Sequence, residues 1–309
     1  MSGNAGRFKK NFIRDWQLHA FMLLPLIYLL VFCYYPMFGV QIAFKNFIAA
    51  RGIWGSQWVG FRHFRTFFSS FMFDRVVLNT LILSFYLIIA GFPLPIFFAL
   101  ILNTVRNRHF KKAVQTITYM PHFISTVVLV GMMSTFFSPV AGAYAYFSQL
   151  LGGGMPPVLM GMANTFRHFY VWSDIWQNLG WSTIIYIAAL STVNPELYEA
   201  AEIDGASRWQ RIFHIDLPTI LPTAAILLIL RLGGIMSIGF EKVLLMQTQL
   251  NLQTSEVIST YVYKVGLQSG GNFSYAAAIG LFNSVINCAM LFSVNKISRK
   301  LSSGEFGLF

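Results

Sequence analysis

The chain has 309 residues, of which 56% are hydrophobic and only 11% charged, with a mean hydropathy of +0.59. A water-soluble domain carries about a quarter of its residues charged, so this composition excludes an ordinary soluble globule and points to a bilayer protein. The net charge of +11 does not mark a nucleic-acid-reading face, because the basic residues cluster at the ends of apolar runs, where topology signals and anionic headgroups account for them.

Residues 1–17 form a basic N-terminal segment with Arg7, Lys9, Lys10 and Arg14. The apolar run behind it is too long, and too poor in small residues at a cleavage point, for a removable signal, so it reads as a retained first helix at about Leu18 to Phe38. A bilayer core of roughly 30 Å takes about 20 helical residues. Pro25 and Pro36 are positioned to kink or end this helix. Residues 18–75 thus hold the first crossing and an external loop. In that loop Phe61, Phe64, Phe67 and Phe68 alternate with Arg62, His63 and Arg65, which fits either a short interfacial helix or a loop packed on its neighbours.

Residues 76–297 contain the rest of the membrane core. A second helix over Val76 to Val105 bends near Pro93 and Pro95, and a basic turn of Arg106, Arg108, Lys111 and Lys112 follows. No charge then occurs from Ala113 to Phe166. Ser138-Pro139, Gly152-Gly153-Gly154 and Pro156-Pro157 interrupt the second half, so one helix at about Ala113 to Phe137 and an irregular apolar loop over 138–169 are expected. A fourth helix follows at about Tyr170 to Thr192, a fifth at Thr223 to Leu244 and a sixth at Ser274 to Asn295, with 298–309 as a tail. Cys33 and Cys288, both in apolar runs, read as small buried hydrophobes rather than a disulfide. With the N-terminus inside, 13 basic residues fall on the cytoplasmic side and seven outside (Lys45, Arg51, Arg62, Arg65, Arg75, Arg167, Lys264). A seventh crossing would worsen that bias. The predicted fold is an all-α polytopic membrane protein of six transmembrane helices with both termini cytoplasmic.

Between the fourth and fifth helices lies an acidic island. It holds Glu196, Glu199, Glu202, Asp204 and Asp216, five of the chain's 11 acids. Asn194 is placed to cap a helix starting at Pro195, acids in its first turns suit the helix dipole, and Gly205 is placed to end it in a left-handed conformation. A second short helix is expected from Ala206 to about His214, stopped by Leu217-Pro218. Such a helix–turn–helix over 194–218 is a rigid protrusion suited to passing force to a soluble partner. Composition alone also permits an ordinary interfacial loop.

The spacing Glu199-Ala200-Ala201, then Gly205, then Ile215-x-Leu217-Pro218 resembles the cytoplasmic EAA coupling loop of permease subunits in binding-protein-dependent ABC importers. The runs 39–47, 54–61, 121–125, Asp174-Ile175-Trp176-Gln177-Asn178 and Phe240-Glu241-Lys242 are similar to the sugar-uptake branch of the MalF/MalG-like superfamily, in particular its polysaccharide-type, LplB-like permeases. The resemblance implies that Glu199, Ala200, Ala201, Asp204, Gly205, Ile215, Leu217 and Pro218 serve ATPase coupling. It also implies the partners: a second, homologous permease, two ATP-binding subunits that hold ATP and Mg, and an extracytoplasmic solute-binding protein delivering an oligosaccharide. The setting it implies is a bacterial cytoplasmic membrane. The chain itself carries no phosphate-cradling G-x-x-x-x-G-K-[S/T] loop and no His/Cys/Asp cluster or nucleophile–base pair at a recognisable spacing, so no cofactor, metal or catalytic residue is assigned to it.

Polar groups at bilayer depth mark a candidate substrate path. Arg231 lies nine residues beyond Pro222, about 13 Å at 1.5 Å per residue, and is read either as facing the path or as paired with Asp174, Glu241 or helix carbonyls. His122 and Ser125 follow Pro121, Trp176, Asn178 and Trp181 lie in the outer half of the fourth helix, and Asn283 and Asn287 share a face of the sixth. Aromatic rings beside amides suit sugar rings, although asparagines in membrane helices also serve as interhelical bonds. The functions these features leave open are a permease for another solute, a peptide or phosphorylated polyol for example, and a self-sufficient channel or proton-coupled carrier. A carrier would be marked by inverted repeats or embedded acids, which are not evident. A membrane glycosidase or transferase is disfavoured for want of a placed carboxylate pair.

Overall fold

The computed structural model describes residues 14–268 and 270–301. They are mostly helical. α1 runs from Trp16–Phe44. It passes both prolines without stopping: the hydrogen-bond pattern is α to Tyr28, π over Leu29–Tyr34 and 3-10 over Tyr35–Phe44, with Pro36 at the junction where the pattern changes from π to 3-10. Most of α1 faces outward, which is the expected disposition for an apolar helix whose solvent is lipid. Cys33 and Cys288 also lie free on the outer surface rather than inside.

A short antiparallel ribbon, β1 (Lys45–Asn46) with β2 (Gln57–Trp58), leads to α2 (Arg62–Phe68), so the helical alternative for the first loop is the one formed. Phe67 on α2 is fully buried, against Phe73, Tyr275 and Phe282. α3 spans Met72–Thr104, with Phe92 between its segments Met72–Gly91 and Pro93–Thr104. α4 (Arg108–Phe123) and α5 (Thr126–Phe136) replace the straight helix expected at 113–137 and meet at 98°. The apolar stretch 138–169 is not wholly irregular: α6 (Ala143–Leu150) forms within it, and α7 begins at Ala163 and continues to Leu190.

The island gives α8 (Pro195–Ile203) and the start of α9, which runs unbroken from Arg208–Gly233. Leu217-Pro218 does not stop the second island helix. A π turn over Ile212–Asp216 lets the Leu217 N–H reach Ile212, and the widened turn accommodates the Pro218 ring. The fifth helix also ends earlier than expected, at Gly233, and α10 (Phe240–Met246), α11 (Leu252–Ser255) and α12 (Ile258–Tyr263) follow. A Cβ on Gly233 would lie 2.6 Å from Leu291 Cδ1, so the glycine admits close approach of α13 (Phe273–Leu301). Four helices, α1, α3, α9 and α13, are long and apolar enough to cross a membrane, and α4–α5 makes a fifth if the bent pair is one span. α7 has 28 residues, about 42 Å at 1.5 Å per residue, but carries Arg167, Asp174, Gln177 and Asn178 and is not among them.

The first turns of α3 meet a polar layer. Glu256 bonds Lys264 at 3.1 Å and Arg75 at 3.8 Å, Asn79 donates to the carbonyls of Gln253 and Glu256, and Arg167 donates to Asn79 Oδ1. The other end of α3 reaches the island through Asn103. The two polar ends are separated by the length of α3, and three buried apolar clusters lie along the bundle, led by Phe166 and Leu83, Phe67 and Ile279, and Ile220 and Ala99.

Candidate functional site

The island is built as its sequence predicts up to Gly205. Asn194 Oδ1 accepts from Glu196 N at 3.1 Å, Pro195 opens α8, and Glu196 lies in its first turn. Gly205 has φ +72°, and the N–H groups of Gly205 and Ala206 reach the carbonyls of Glu202 and Ala201, the double closure that satisfies a helix C-terminus. Ser207 then starts the next helix by a reciprocal pair with Gln210. Glu199, Ala200, Asp204, Gly205 and Pro218 are exposed, while Ala201, Ile215 and Leu217 are half-buried. Beside these polar positions stand exposed Leu197, Ile203, Trp209 and Phe213, the last two with ring centroids 6.3 Å apart. An acidic ridge edged by large exposed apolar side chains is the kind of patch that marks a contact with a protein or a membrane surface.

Below this ridge is a set that sequence reasoning missed. Asp216 is 2% exposed, and its Oδ1 accepts from Tyr198 Oη at 2.5 Å and Asn103 Nδ2 at 3.2 Å. Asn103 also donates to Tyr198 Oη at 3.2 Å. Burial first, and the bond to Asp216 second, push the Tyr198 hydroxyl up to about 12, so it stays a donor at neutral pH. Glu202, itself largely exposed, is drawn to exposed Arg106 at 3.2 Å and to half-buried Arg211 at 3.9 Å, contacts of small energetic weight. The readable signal was an acid directly before a long apolar helix.

The second set lies where α4 breaks. Pro121 cannot continue the ladder, Ile124 is extended, and Ser125 restarts the chain by capping α5 through Val128 N. The carbonyl of Ile124 is satisfied by buried Gln177 at 2.7 Å. His122 stacks on Trp181 with centroids 4.4 Å apart and planes 6° from parallel, and its Nδ1 bonds Asn178 Oδ1 at 2.9 Å. Trp181 also borders a cavity of about 430 Å³ lined by Phe92, Ser182, Tyr186 and Arg231. Arg231 is exposed there and forms no ion pair among the described residues. Its proposed partner Asp174 instead holds Lys242, at 3.6 Å.

The structure therefore joins His122, Asn178, Trp181 and Arg231 in one strip and separates the others. Ser125 is a helix cap. Trp176 faces away, into an apolar cavity of about 670 Å³ with Leu129, Met132, Phe136, His168 and Trp172. Asn287 bonds the Met236 N–H at 2.9 Å and Ser237 Oγ at 2.8 Å, across the break after α9. Asn283 Oδ1 is buried without a hydrogen-bond partner among the described residues. Asn287 thus acts between helices. Asn287→Leu should cost about 1–2 kcal/mol, read as earlier thermal unfolding in detergent, with substrate preference unchanged.

The profile of a family described as binding-protein-dependent transport system inner membrane component matches residues 91–303. The chain belongs to this family. Among similar proteins, Protein LplB of Bacillus subtilis (strain 168) is 41% identical over 296 residues, covering 96% of this chain and 92% of the relative. The polygalacturonan/rhamnogalacturonan transport system permease protein YteP of the same organism is 40% identical, covering 93% and 89%. A chain of the bacterial alginate ABC transporter, solved in complex with alginate pentasaccharide-bound periplasmic protein, superposes with a TM-score of 0.87 at 41% identity, covering 98% of this chain and 100% of that one. The matched region includes the island and the whole His122–Arg231 strip, while α1, the ribbon and α2 precede it.

Proposed function

We propose that this chain is one of two homologous permeases in an ATP-driven importer of oligosaccharides bearing uronate carboxylates. On this reading the chain crosses a bacterial inner membrane six times, by α1, α3, α4–α5, α7, α9 and α13, with both termini and the island on the cytoplasmic side, and the 13:7 distribution of basic residues supports it. A solute-binding protein delivers the sugar outside. Two ATPase subunits, which hold ATP and Mg, seat the exposed Glu199 ridge in their clefts, and closure of those clefts tilts the helices that bear it. Whole-length similarity to sugar permeases, including relatives named for polygalacturonan and alginate transport, supports this substrate class.

The observation that carries the substrate reading is Arg231. A guanidinium in the last turn of α9, open to a cavity and without an ion pair among the described residues, is placed to pair with a passing carboxylate. Trp181 beside it offers a ring face to sugar C–H groups. Acidic and neutral oligosaccharides of equal length should therefore respond differently to Arg231→Ala in the reconstituted transporter. Uptake of the acidic sugar falls about 10- to 100-fold, the worth of a charge-assisted pair, while neutral uptake changes little. Equal losses for both sugars refute the assignment.

A further inference from the structure

We propose that Asn103, Tyr198 and Asp216 form a latch that fixes α8 to α3 and α9, so that force applied to the island moves both membrane helices together. The inference rests on the reading of the island as an ATPase dock and adds the positioning residues through which that dock acts.

No residue of α8 is buried, so apolar packing does not set its orientation. Its covalent ends are closed by local hydrogen bonds of opposite kind, the Asn194 cap on one side and the turn at left-handed Gly205 on the other. Between them, among the described residues, two sets of polar side-chain contacts tie α8 to other elements. The Glu202 pairs with Arg106 and Arg211 involve a carboxylate that is largely exposed, and solvent screens them. The remaining contact is the closed triangle at Asp216, in which each of three elements contributes one side chain: Asn103 from the end of α3, Tyr198 from the middle of α8 and Asp216 from the π turn of α9.

A buried carboxylate is a costly choice at this position. Asp216 accepts from neutral donors and makes no ion pair among the described residues, although Arg211 stands near enough to favour its charge. An aliphatic side chain would pack there without the desolvation penalty, so the benefit of the acid is geometric. One oxygen accepting two bonds fixes two partners in direction as well as distance. The π turn contributes to this by rotating the base of α9.

The test uses the complete reconstituted transporter, with binding protein and ATPases present. Tyr198→Phe removes one hydroxyl and Asn103→Leu removes both amide donors, while Asp216→Asn keeps the accepting oxygen. Two quantities are read: amide hydrogen exchange over residues 195–203, and solute imported per ATP hydrolysed. Tyr198→Phe and Asn103→Leu are expected to speed exchange roughly tenfold and to lower the transport ratio by a similar factor, the cost of one lost bond to a charged acceptor. Asp216→Asn falls between wild type and these two variants in both, since its oxygen still accepts but without the charge that strengthens the two bonds. Wild-type exchange and ratio in Tyr198→Phe and Asn103→Leu overturn the latch. Glu199→Lys run beside them separates the two readings. Full uptake by that variant refutes the dock, and the exchange of α8 still decides the latch.

Discussion

Glu199→Lys is expected to abolish uptake, by about a hundredfold or more, while the chain still inserts and assembles with its companion permease. Glu199 is exposed on the outer side of α8 and makes no ion pair among the described residues, so charge reversal disturbs nothing inside the chain. Its whole effect falls on whatever meets the ridge. A reversed charge at a protein interface leaves a desolvated like-charge or unpaired contact, which weakens docking far more than it weakens folding. Gly205→Val should act on the same step by another route. A Cβ at Gly205 meets nothing within 4 Å, but φ of +72° is strained for a branched residue by roughly 1–2 kcal/mol, so the turn reorients instead of clashing. Uptake in membrane vesicles and co-purification of the ATPase subunits check both. Normal uptake by Glu199→Lys refutes the docking role.

The largest stability effect is expected at Asp174 and Lys242. Lys242 is 5% exposed, its Nζ has no hydrogen-bond partner among the described residues, and it stands 3.6 Å from Asp174 and 5.0 Å from the centre of the Tyr170 ring. This pair fastens α10, which follows the early end of α9, to the middle of α7. Asp174→Asn strands a buried ammonium and should cost about 3 kcal/mol. Lys242→Met leaves a carboxylate that is still partly exposed, so its cost is smaller, and the double variant should recover most of the stability lost in Asp174→Asn because no charge remains to be buried. Thermal unfolding of the purified protein in detergent gives the order. A double variant as unstable as Asp174→Asn alone would show that the charge is not the cause.

The island illustrates how much of the site was legible. The Asn194 cap, the start at Pro195 and the turn at Gly205 follow from local backbone chemistry, and each formed as expected. Pro218 behaved differently because the π turn before it widens the helix enough to take the proline ring. The triangle below the ridge could not be read, since Asn103 and Asp216 are 113 positions apart and nothing local relates them. The candidate path divides similarly. Pro121 announced a break, but the 98° turn depends on Gln177 reaching across to the Ile124 carbonyl. Trp176 and Asn178 are close in sequence yet part company, Trp176 lining the apolar cavity and Asn178 bonding His122, because two positions along a helix are about 200° apart around its axis.

The sequence alone determined the solvent, the helical class and the existence of an exposed acidic unit between two apolar helices. Those properties follow from composition, run length and capping, each of which acts over a few residues and needs no knowledge of the rest of the chain. The tertiary structure decided which polar groups are partners: Asp174 with Lys242 instead of Arg231, Asn287 with the backbone after α9, and His122 with Trp181 and Asn178. In a bilayer, apolar faces are nearly interchangeable between protein and lipid, so hydrophobic pattern says little about which helix meets which. The few polar side chains and close glycine contacts make that choice, and their partners lie far away in sequence.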